Sequence, residues 1–215
     1  VATVPPGPIA ADQLREVALS RSTDGIIYDQ GPLPGAGPFV QAANDSTSAF
    51  ALVVRDDSYA SAMRYLDGGN LPPPDDVRIE EFINAFDQGY PEFDTPDLRL
   101  FVDGAPSPFG DRCHLVRVGL KARSPASPDS AELVAEAAGV QVTFDPHSVA
   151  QYRLIGFEKS GIRRDAAAAG ATIASGYEVA ALYEIKLARN VRTGRLLEAR
   201  VRYERPNLAA RAGPR

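Results

Sequence analysis

Alternating apolar and polar residues fill the second half of the chain, and this pattern constrains the fold more than any other feature. Five segments of this kind are typical of β-strands: "CHLVRVGLKAR" (113–123), "VQVTFDP" (140–146), "VAQYRLIGFEK" (149–159), "EVAALYEIKLA" (178–188) and "LLEARVRYER" (196–205). Helical spacing is concentrated in the first half instead. Because helices and strands are segregated, the sequence predicts an α+β fold. We expect a mostly antiparallel sheet or sandwich, with two helices packed on it.

The predicted helices flank a run of three prolines. Strand-like "SAFALVVR" (48–55) precedes "DSYASAMRYLDGG" (57–69), in which Asp57 or Ser58 suits the N-cap and paired glycines end the helix. "LPPP" then forces an extended connection, since proline fixes φ and disfavours helix in the residue before it. The second predicted helix lies in "DDVRIEEFINAFDQGY" (75–90), with Asp75 or Asp76 as N-cap.

The second helix carries a broad apolar stripe and two pairs of acids. Asp75 with Asp76, and Glu80 with Glu81, are expected in solvent, because the apolar residues should occupy the packed face. The residues assigned to packing, in these helices and in the strands, are Tyr59, Val77, Ile79, Phe82, Ile83, Phe86, Pro91, Tyr152 and Tyr183. The acid pairs are therefore not expected to act as a general acid and base.

Breakers and linkers divide the chain. Residues 1–45 are rich in glycine and proline and are expected to form an arm or tether. Residues 46–206 are expected to form one α+β domain from two segments, 46–123 and 131–206, joined by linker 124–130; 207–215 form a tail. Within it, "AELVAEAAG" (131–139) reads as a short helix, and "RNVRTGR" (189–195) as a hairpin between the last two strands.

Composition excludes several kinds of partner. The formal net charge is −5 and the basic residues form no cluster, so we expect no nucleic-acid binding. No apolar run approaches the ~20 residues of a membrane span. Cys113 is the one cysteine, and the two histidines, His114 and His147, lie far apart, so transition-metal sites and Cys/His catalysis are poorly supplied. No cofactor is expected.

Two candidate sites remain. Asp56-x-Ser58-x-Ala60 follows a predicted strand and approaches the Asp-x-Ser-x-Ser pattern that binds Mg²⁺ in adhesion domains, but alanine takes the third ligand position. The alternative interpretation is a helix N-terminus. In "EARVRYER", alternation places Arg200 and Arg202 on one strand face, either as a charged outer face or as an interface.

Two longer blocks resemble a bacterial family of exported von Willebrand A-domain proteins, often labelled calcium-activated chloride channel homologues. The first is "STSAFALVVRDDSYASAMRYLDGGNLPPPDDVRIEEFINAFDQGYPEF" (46–93). The second combines "VQVTFDPHSVAQYRLIGFEK" (140–159) with "ASGYEVAALYEIKL" (174–187). In that family an A domain of roughly 180 residues separates the two blocks and carries the metal site. Here the blocks are almost contiguous, so the resemblance implies that the A domain is missing.

The sequence therefore predicts a non-enzymatic protein-interaction module or scaffold, since no G-x-S-x-G elbow or phosphate-binding loop is present. The resemblance implies export to the periplasm, the cell surface or a lipid anchor. It also implies membrane or envelope proteins as partners, and a subunit of a larger membrane-associated assembly is one version of this role. A metal- or carbohydrate-dependent adhesion domain is the alternative, and a hydrolase with a hidden site is a further rival.

Overall fold

The computed structural model describes residues 37–108, 113–127, 129–157, 170–189 and 194–206. Residues 1–36 of the predicted arm and the predicted tail, 207–215, lie outside this part of the chain. The helices are α1, Asp57–Asp67, and α2, Ile79–Asn84, with a 3-10 turn at Pro74–Asp76 between them. The strands are β1 Val40–Gln41, β2 Thr47–Phe50, β3 Leu98–Pro106, β4 Cys113–Ala122, β5 Leu133–Phe144, β6 Val149–Ile155, β7 Ala171–Ala174, β8 Glu178–Leu187 and β9 Leu197–Glu204.

The strands form two antiparallel sheets, as the segregated sequence pattern predicts. The first sheet has the order β1-β6-β8-β4-β3. In the second sheet β5 is central: it pairs with β2 through residues 140–143, with β7 through residues 133–138 and with β9 through residues 136–144. Strands from both sequence segments occur in each sheet. The α+β prediction is confirmed, with two helices in the first half of the chain.

The two sheets pack face to face around aromatic side chains. Phe144 of β5 stacks on Tyr152 of β6, with ring centroids 4.1 Å apart, and meets the edge of Tyr183 of β8 at 5.3 Å. Each buried tyrosine hydroxyl reaches β2: that of Tyr152 donates to the Thr47 carbonyl at 3.0 Å, and that of Tyr183 to the Ser48 hydroxyl at 3.1 Å. Burial of these rings stabilises the sandwich, and the hydrogen bonds remove the cost of burying their polar ends.

Helix α2 is bonded to the first sheet, and the chain that follows it lies over part of the outer face of that sheet. Asn84 of α2 bonds both backbone groups of Ala180 in β8, at 2.9 and 2.7 Å. Further along, the Tyr90 ring lies directly over Gly119 of β4, where a Cβ atom would fall 1.9 Å from the tyrosine hydroxyl. Only glycine leaves room for this ring, so the third layer depends on Gly119.

The short helix predicted at residues 131–139 is wrong: Leu133–Phe144 is one strand. Alanine and glutamate favour helix there, but Val134, Ala135 and Ala138 are buried and the strand is paired with both β7 and β9. Register shifts and a positive φ of 51° at Ala137 let the strand bend. Tertiary pairing therefore outweighs local propensity.

The predicted hairpin pairing of the last two strands is also wrong. Both edges of β8 are taken by β4 and β6, so β9 crosses to the other sheet and pairs with β5.

The domain boundary predicted at residue 46 differs from the structure as well. Val40 pairs with Tyr152 and Ala42 is buried, so the folded body begins inside the segment that was assigned to the arm. The strand predicted at 48–55 ends at Phe50.

Stability at alkaline pH should depend on Tyr90. Its hydroxyl is buried without a partner among the described residues, and burial raises its pKa to about 12 from the ordinary 10. Above pH 10 the unfolded chain releases this proton while the folded protein keeps it. The contribution of the Tyr90 proton to the free energy of unfolding is therefore fully present below pH 10. It decreases as pH rises from 10 towards 12, by up to about 1.4 kcal/mol per pH unit.

We expect Tyr90→Phe to lack this loss and to be about 1 kcal/mol more stable at neutral pH, because it removes an unsatisfied hydroxyl. Urea unfolding between pH 7 and 11.5 measures both effects. Tyr65→Phe, at an exposed tyrosine, is the matched control and should follow the wild type. Parallel curves for wild type and Tyr90→Phe above pH 10 would contradict the assignment.

Candidate interaction surface

A cluster of hydrogen bonds joins the start of α1 to α2. The buried Ser58 N–H donates to Glu81 Oε2 at 2.6 Å, and the Ser58 hydroxyl donates to the Asp76 carbonyl at 2.6 Å. That hydroxyl also accepts from the Arg78 N–H at 2.8 Å, and the Arg78 guanidinium pairs with Glu81. The hydrogen bond to Glu81 raises the pKa of Arg78. Glu81 thus satisfies a free N–H of the first turn of α1 from a separate helix.

Glu80 connects α2 to the first sheet. Its Oε2 accepts from the Phe157 N–H at 2.9 Å, just beyond the end of β6. The preceding Gly156 has a φ of 77°, and a Cβ atom there would lie 2.8 Å from the Glu80 amide nitrogen. The backbone can approach the carboxylate only because this residue is glycine.

Three expectations for this region are wrong. Glu80 and Glu81 are buried, not in solvent, because each carboxylate accepts a backbone N–H from another element. Neither Asp75 nor Asp76 caps α2: both lie in the 3-10 turn, and Arg78 is the N-cap residue without a side-chain cap. In α1, likewise, the N-cap position falls on Asp56, one residue before the prediction, again without a side-chain cap.

The carboxylates occupy the packed side, and apolar side chains are displaced outward. Residues 53–87 are called the helical layer from here on. Among the described residues, six of the seven large apolar side chains that are exposed lie in this layer: Val53, Met63, Tyr65, Leu66, Leu71 and Phe86. Leu71, before the prolines, is 83% exposed and Phe86 is 61% exposed. Exposed apolar side chains concentrated on one layer are typical of a binding surface.

Aromatic contacts hold part of this surface in place. Tyr59 of α1 meets the edges of Phe82 and Phe86, with centroid distances of 5.3 and 5.4 Å. Val77, Ile79, Phe82 and Ile83 are half-buried, whereas Tyr152 and Tyr183 are buried in the sandwich. Pro91, assigned to packing, is exposed, and Phe86 is mostly so. Part of the apolar stripe in and beside α2 is thus packed against the protein, and part is exposed to solvent.

The helical layer also carries the excess negative charge. Residues 53–87 contain eight acidic and three basic residues, a net charge of −5. This equals the formal net charge of the whole chain, and the remaining 20 acidic and 20 basic residues cancel. The exposed acids are Asp56, Asp57, Asp67, Asp75, Asp76 and Asp87. The exposed apolar side chains and these exposed carboxylates therefore lie in the same layer.

The two candidate metal ligands, Asp56 and Ser58, are not arranged around a common metal position. Asp56 is exposed beside the start of α1, and the oxygens of Ser58 point into the bonds described above. In the described ranges no three His, Cys, Asp or Glu side chains are grouped as metal ligands. Strand alternation places Ala199, Val201 and Tyr203 against the core, while Arg200 and Arg202 are exposed on the outer face of β9.

The cysteine and the two histidines considered for catalysis differ in their surroundings. Cys113 is buried, and its burial and the nearby Glu184 raise the pKa of the thiol. Glu184 instead holds Arg153 in a buried ion pair at 2.5 Å and accepts from Ser107 at 3.1 Å. His147 is exposed and bonds Asp145.

His114 lines a cavity of about 700 Å³ between β3, β4 and the start of β9, which we call the seam. The seam is mostly apolar, and its described lining includes no serine or cysteine. Its one carboxylate, Asp103, is paired with Arg117 at 2.6 Å. The arrangement of His114 beside a serine and a free carboxylate that a hydrolase needs is therefore not found in this lining.

Comparisons with known proteins match both halves of this body. A family described as von Willebrand factor matches residues 34–117, and a family described as uncharacterized protein YfbK, C-terminal, matches residues 131–212. The chain is also similar to the uncharacterized protein YfbK of Escherichia coli (strain K12), with 38% identity over 78 residues. These matches are consistent with the resemblance to a von Willebrand A-domain family that the two sequence blocks show. This similarity indicates a module of the protein-interaction or adhesion type.

The likeness is partial. The aligned residues cover 36% of this chain and 13% of the E. coli protein. Only residues 118–130 separate the two family matches, far fewer than the roughly 180 residues of the A domain that separates the two blocks in the family the sequence resembles. No solved structure matches the chain. No helix among the described residues is long and apolar enough to cross a membrane.

Sequence reasoning found the elements of this surface but missed its orientation. Helical periodicity assigns the apolar stripe to the packed face, and nothing in the periodicity marks Glu80 and Glu81 as acceptors for distant N–H groups. Leu71 carried one usable signal, since the prolines that follow it hold the backbone away from a helix.

Glu81→Ala should destabilise the protein by ~2–3 kcal/mol, because it leaves the buried Ser58 N–H without an acceptor and Arg78 without its partner. Asp76→Ala is the control: it keeps the backbone carbonyl that Ser58 uses and should cost within about 0.5 kcal/mol. Urea unfolding at pH 7 compares them. Equal losses in the two variants would show that Glu81 contributes no more than an exposed acid.

Ca²⁺ or Mg²⁺ at millimolar concentration should leave the Tm of the full chain unchanged, because the Ser58 hydroxyl is engaged by Asp76 and Arg78. Thermal scans with and without each ion, with EDTA as reference, provide the measurement. A rise in Tm that Asp56→Ala abolishes would establish a metal site at this position.

Proposed function

We propose that this protein is a non-enzymatic, exported interaction module that binds another protein through its helical layer. The observation that carries the proposal is the coincidence of the exposed apolar side chains with the whole net charge of the chain. Leu71 and Phe86 supply apolar contact area, and the surrounding carboxylates supply charge. A matching partner presents apolar side chains flanked by lysine or arginine.

Rigidity of the layer supports this role. A surface that is already ordered loses little conformational freedom when it binds. Here α1 is held by Glu81, α2 is held to β6 by Glu80, and Asn84 fixes α2 on β8. The exposed side chains are thus presented on a fixed backbone.

Charge argues against an anionic membrane surface as the target. Anionic lipids attract clusters of lysine and arginine, whereas this layer has a net charge of −5. Steering by opposite charge instead favours a basic protein surface. Partners in the cell envelope, and a role as a subunit of an envelope assembly, follow from the family resemblance and are part of the proposal.

Site-specific photocrosslinking in cells tests the binding surface. A photoreactive residue at Leu71 or Phe86 should give defined crosslinked products with an envelope protein, and the yield should fall as salt rises. The same residue at Arg202, on the outer face of β9, is the matched control and should give none. Products at Arg202 alone would place the interface on the other sheet and contradict the proposal.

Export is tested separately by fractionating cells that make the native protein. We expect it in the periplasmic or envelope fraction, accessible to protease after the outer barrier is opened. Recovery with cytoplasmic marker proteins would overturn the exported part of the proposal and leave the helical layer unaffected.

A further inference from the structure

Strand β3 forms the edge of the first sheet. All nine of its residues, from Leu98 to Pro106, are in continuous register with β4. In the parts of the chain that the structure describes, no strand pairs with its other edge. Proteins usually protect such edges by shortening them, by a bulge or by a charge on the inward face. The register of β3 has no bulge, and its inward face carries Leu100 and Val102.

The outward face of β3 is complementary to itself. Arg99, Phe101 and Asp103 alternate along it, with opposite charges on either side of the aromatic ring. If a second copy pairs antiparallel about Phe101, Arg99 faces Asp103 of that copy and Asp103 faces its Arg99. The two phenylalanines then meet at the centre. Opposite charges and aromatic pairs directly across two strands are the favourable cross-strand combinations.

Contacts within one copy already hold these side chains on the outward face. The Arg99 guanidinium lies 4.4 Å from the centre of the Phe93 ring, and Phe101 stacks on Tyr90 with centroids 4.6 Å apart. The Asp103 carboxylate bonds Arg117 but remains 56% exposed, so it can accept from a second guanidinium. Pairing therefore needs little rearrangement.

The inward face also gains from a second copy. Val102 is 49% exposed and borders the seam, which remains open between β3 and the start of β9. The two edges are tied at the other end, where Arg205 bonds Asp97 at 2.9 Å. In the antiparallel arrangement, Leu100 of the second copy faces Val102 and covers this apolar opening.

The edge strand of the second sheet does not show this complementarity. Pairing of β9 with a second β9 about Val201 places Arg200 opposite Arg202 and Glu198 opposite Glu204. Like charges directly opposite each other are destabilising. Charge thus distinguishes β3 from β9 as the edge for self-association.

We propose that two copies of this protein form a symmetric dimer by antiparallel pairing of their β3 strands about Phe101. The two five-stranded sheets then join into one continuous sheet. The seams of both copies face the junction, and the two helical layers remain free. The dimer uses a surface separate from the helical layer, so a test of the dimer does not test the proposed function.

Sedimentation velocity of the full chain over a wide concentration range tests the dimer. We expect a reversible monomer–dimer equilibrium in the wild type and a monomer at every concentration for Val102→Lys, because an inward lysine blocks edge pairing. Val53→Lys, at another exposed valine, is the matched control and should dimerise normally. A wild type that is monomeric throughout, or a Val102→Lys variant that dimerises as well as the control, overturns the proposal.

Charge exchange tests the register. Arg99→Asp and Asp103→Arg should each weaken dimerisation by about tenfold or more, since each places like charges opposite each other twice in the dimer. The double variant restores opposite charges and should restore dimerisation. Asp103→Arg also loses its bond to Arg117, so its Tm should fall and stay low in the double variant. If dimerisation of the double variant stays weak, as its Tm stays low, the proposed pairing is refuted.

Discussion

Two adjacent buried carboxylates hold the outer layer of this protein in position. Glu80 accepts a backbone N–H beyond the end of β6, and Glu81 accepts one from the first turn of α1. A buried carboxylate is stable only when its oxygens are hydrogen-bonded, so each acid fixes the backbone that donates to it. The position of α1 against α2, and the space required beside Gly156, both follow from these bonds.

The inward orientation of the acids determines what the surface presents. A six-residue helix has few positions, and two of those facing the protein are taken by Glu80 and Glu81. Phe86 and the apolar residues of α1 and the proline segment consequently remain in contact with solvent, among the acids that give the chain its net charge. Packing requirements of the helical layer thus leave both apolar and acidic side chains in contact with solvent.

The sandwich beneath explains how two segments form one body without a domain between them. Each sheet draws strands from both family segments, and Phe144 contacts Tyr152 and Tyr183 across the interface. The long pairing of β4 with β8 joins the segments directly. This arrangement leaves β3 at one edge, where the charge pattern of its outward face can match a second copy.

The sequence by itself determined the class of fold, the two helices and most strands, because period-2 and period-3.6 patterns report which face of each element is apolar. It also showed the resemblance to von Willebrand A-domain proteins, through the blocks around the proline run and around "YRLIG". Only the tertiary structure decided that residues 133–139 extend a strand, that β9 joins the opposite sheet, and that Glu80 and Glu81 lie inside. In each case the deciding partner is distant in sequence. Residues 133–139 extend a strand because β7 and β9 pair with β5, and β9 joins the opposite sheet because both edges of β8 are occupied. Glu80 and Glu81 lie inside because they accept the N–H groups of Phe157 and Ser58. Local pattern carries no information about such partners, since they meet only when the chain has folded.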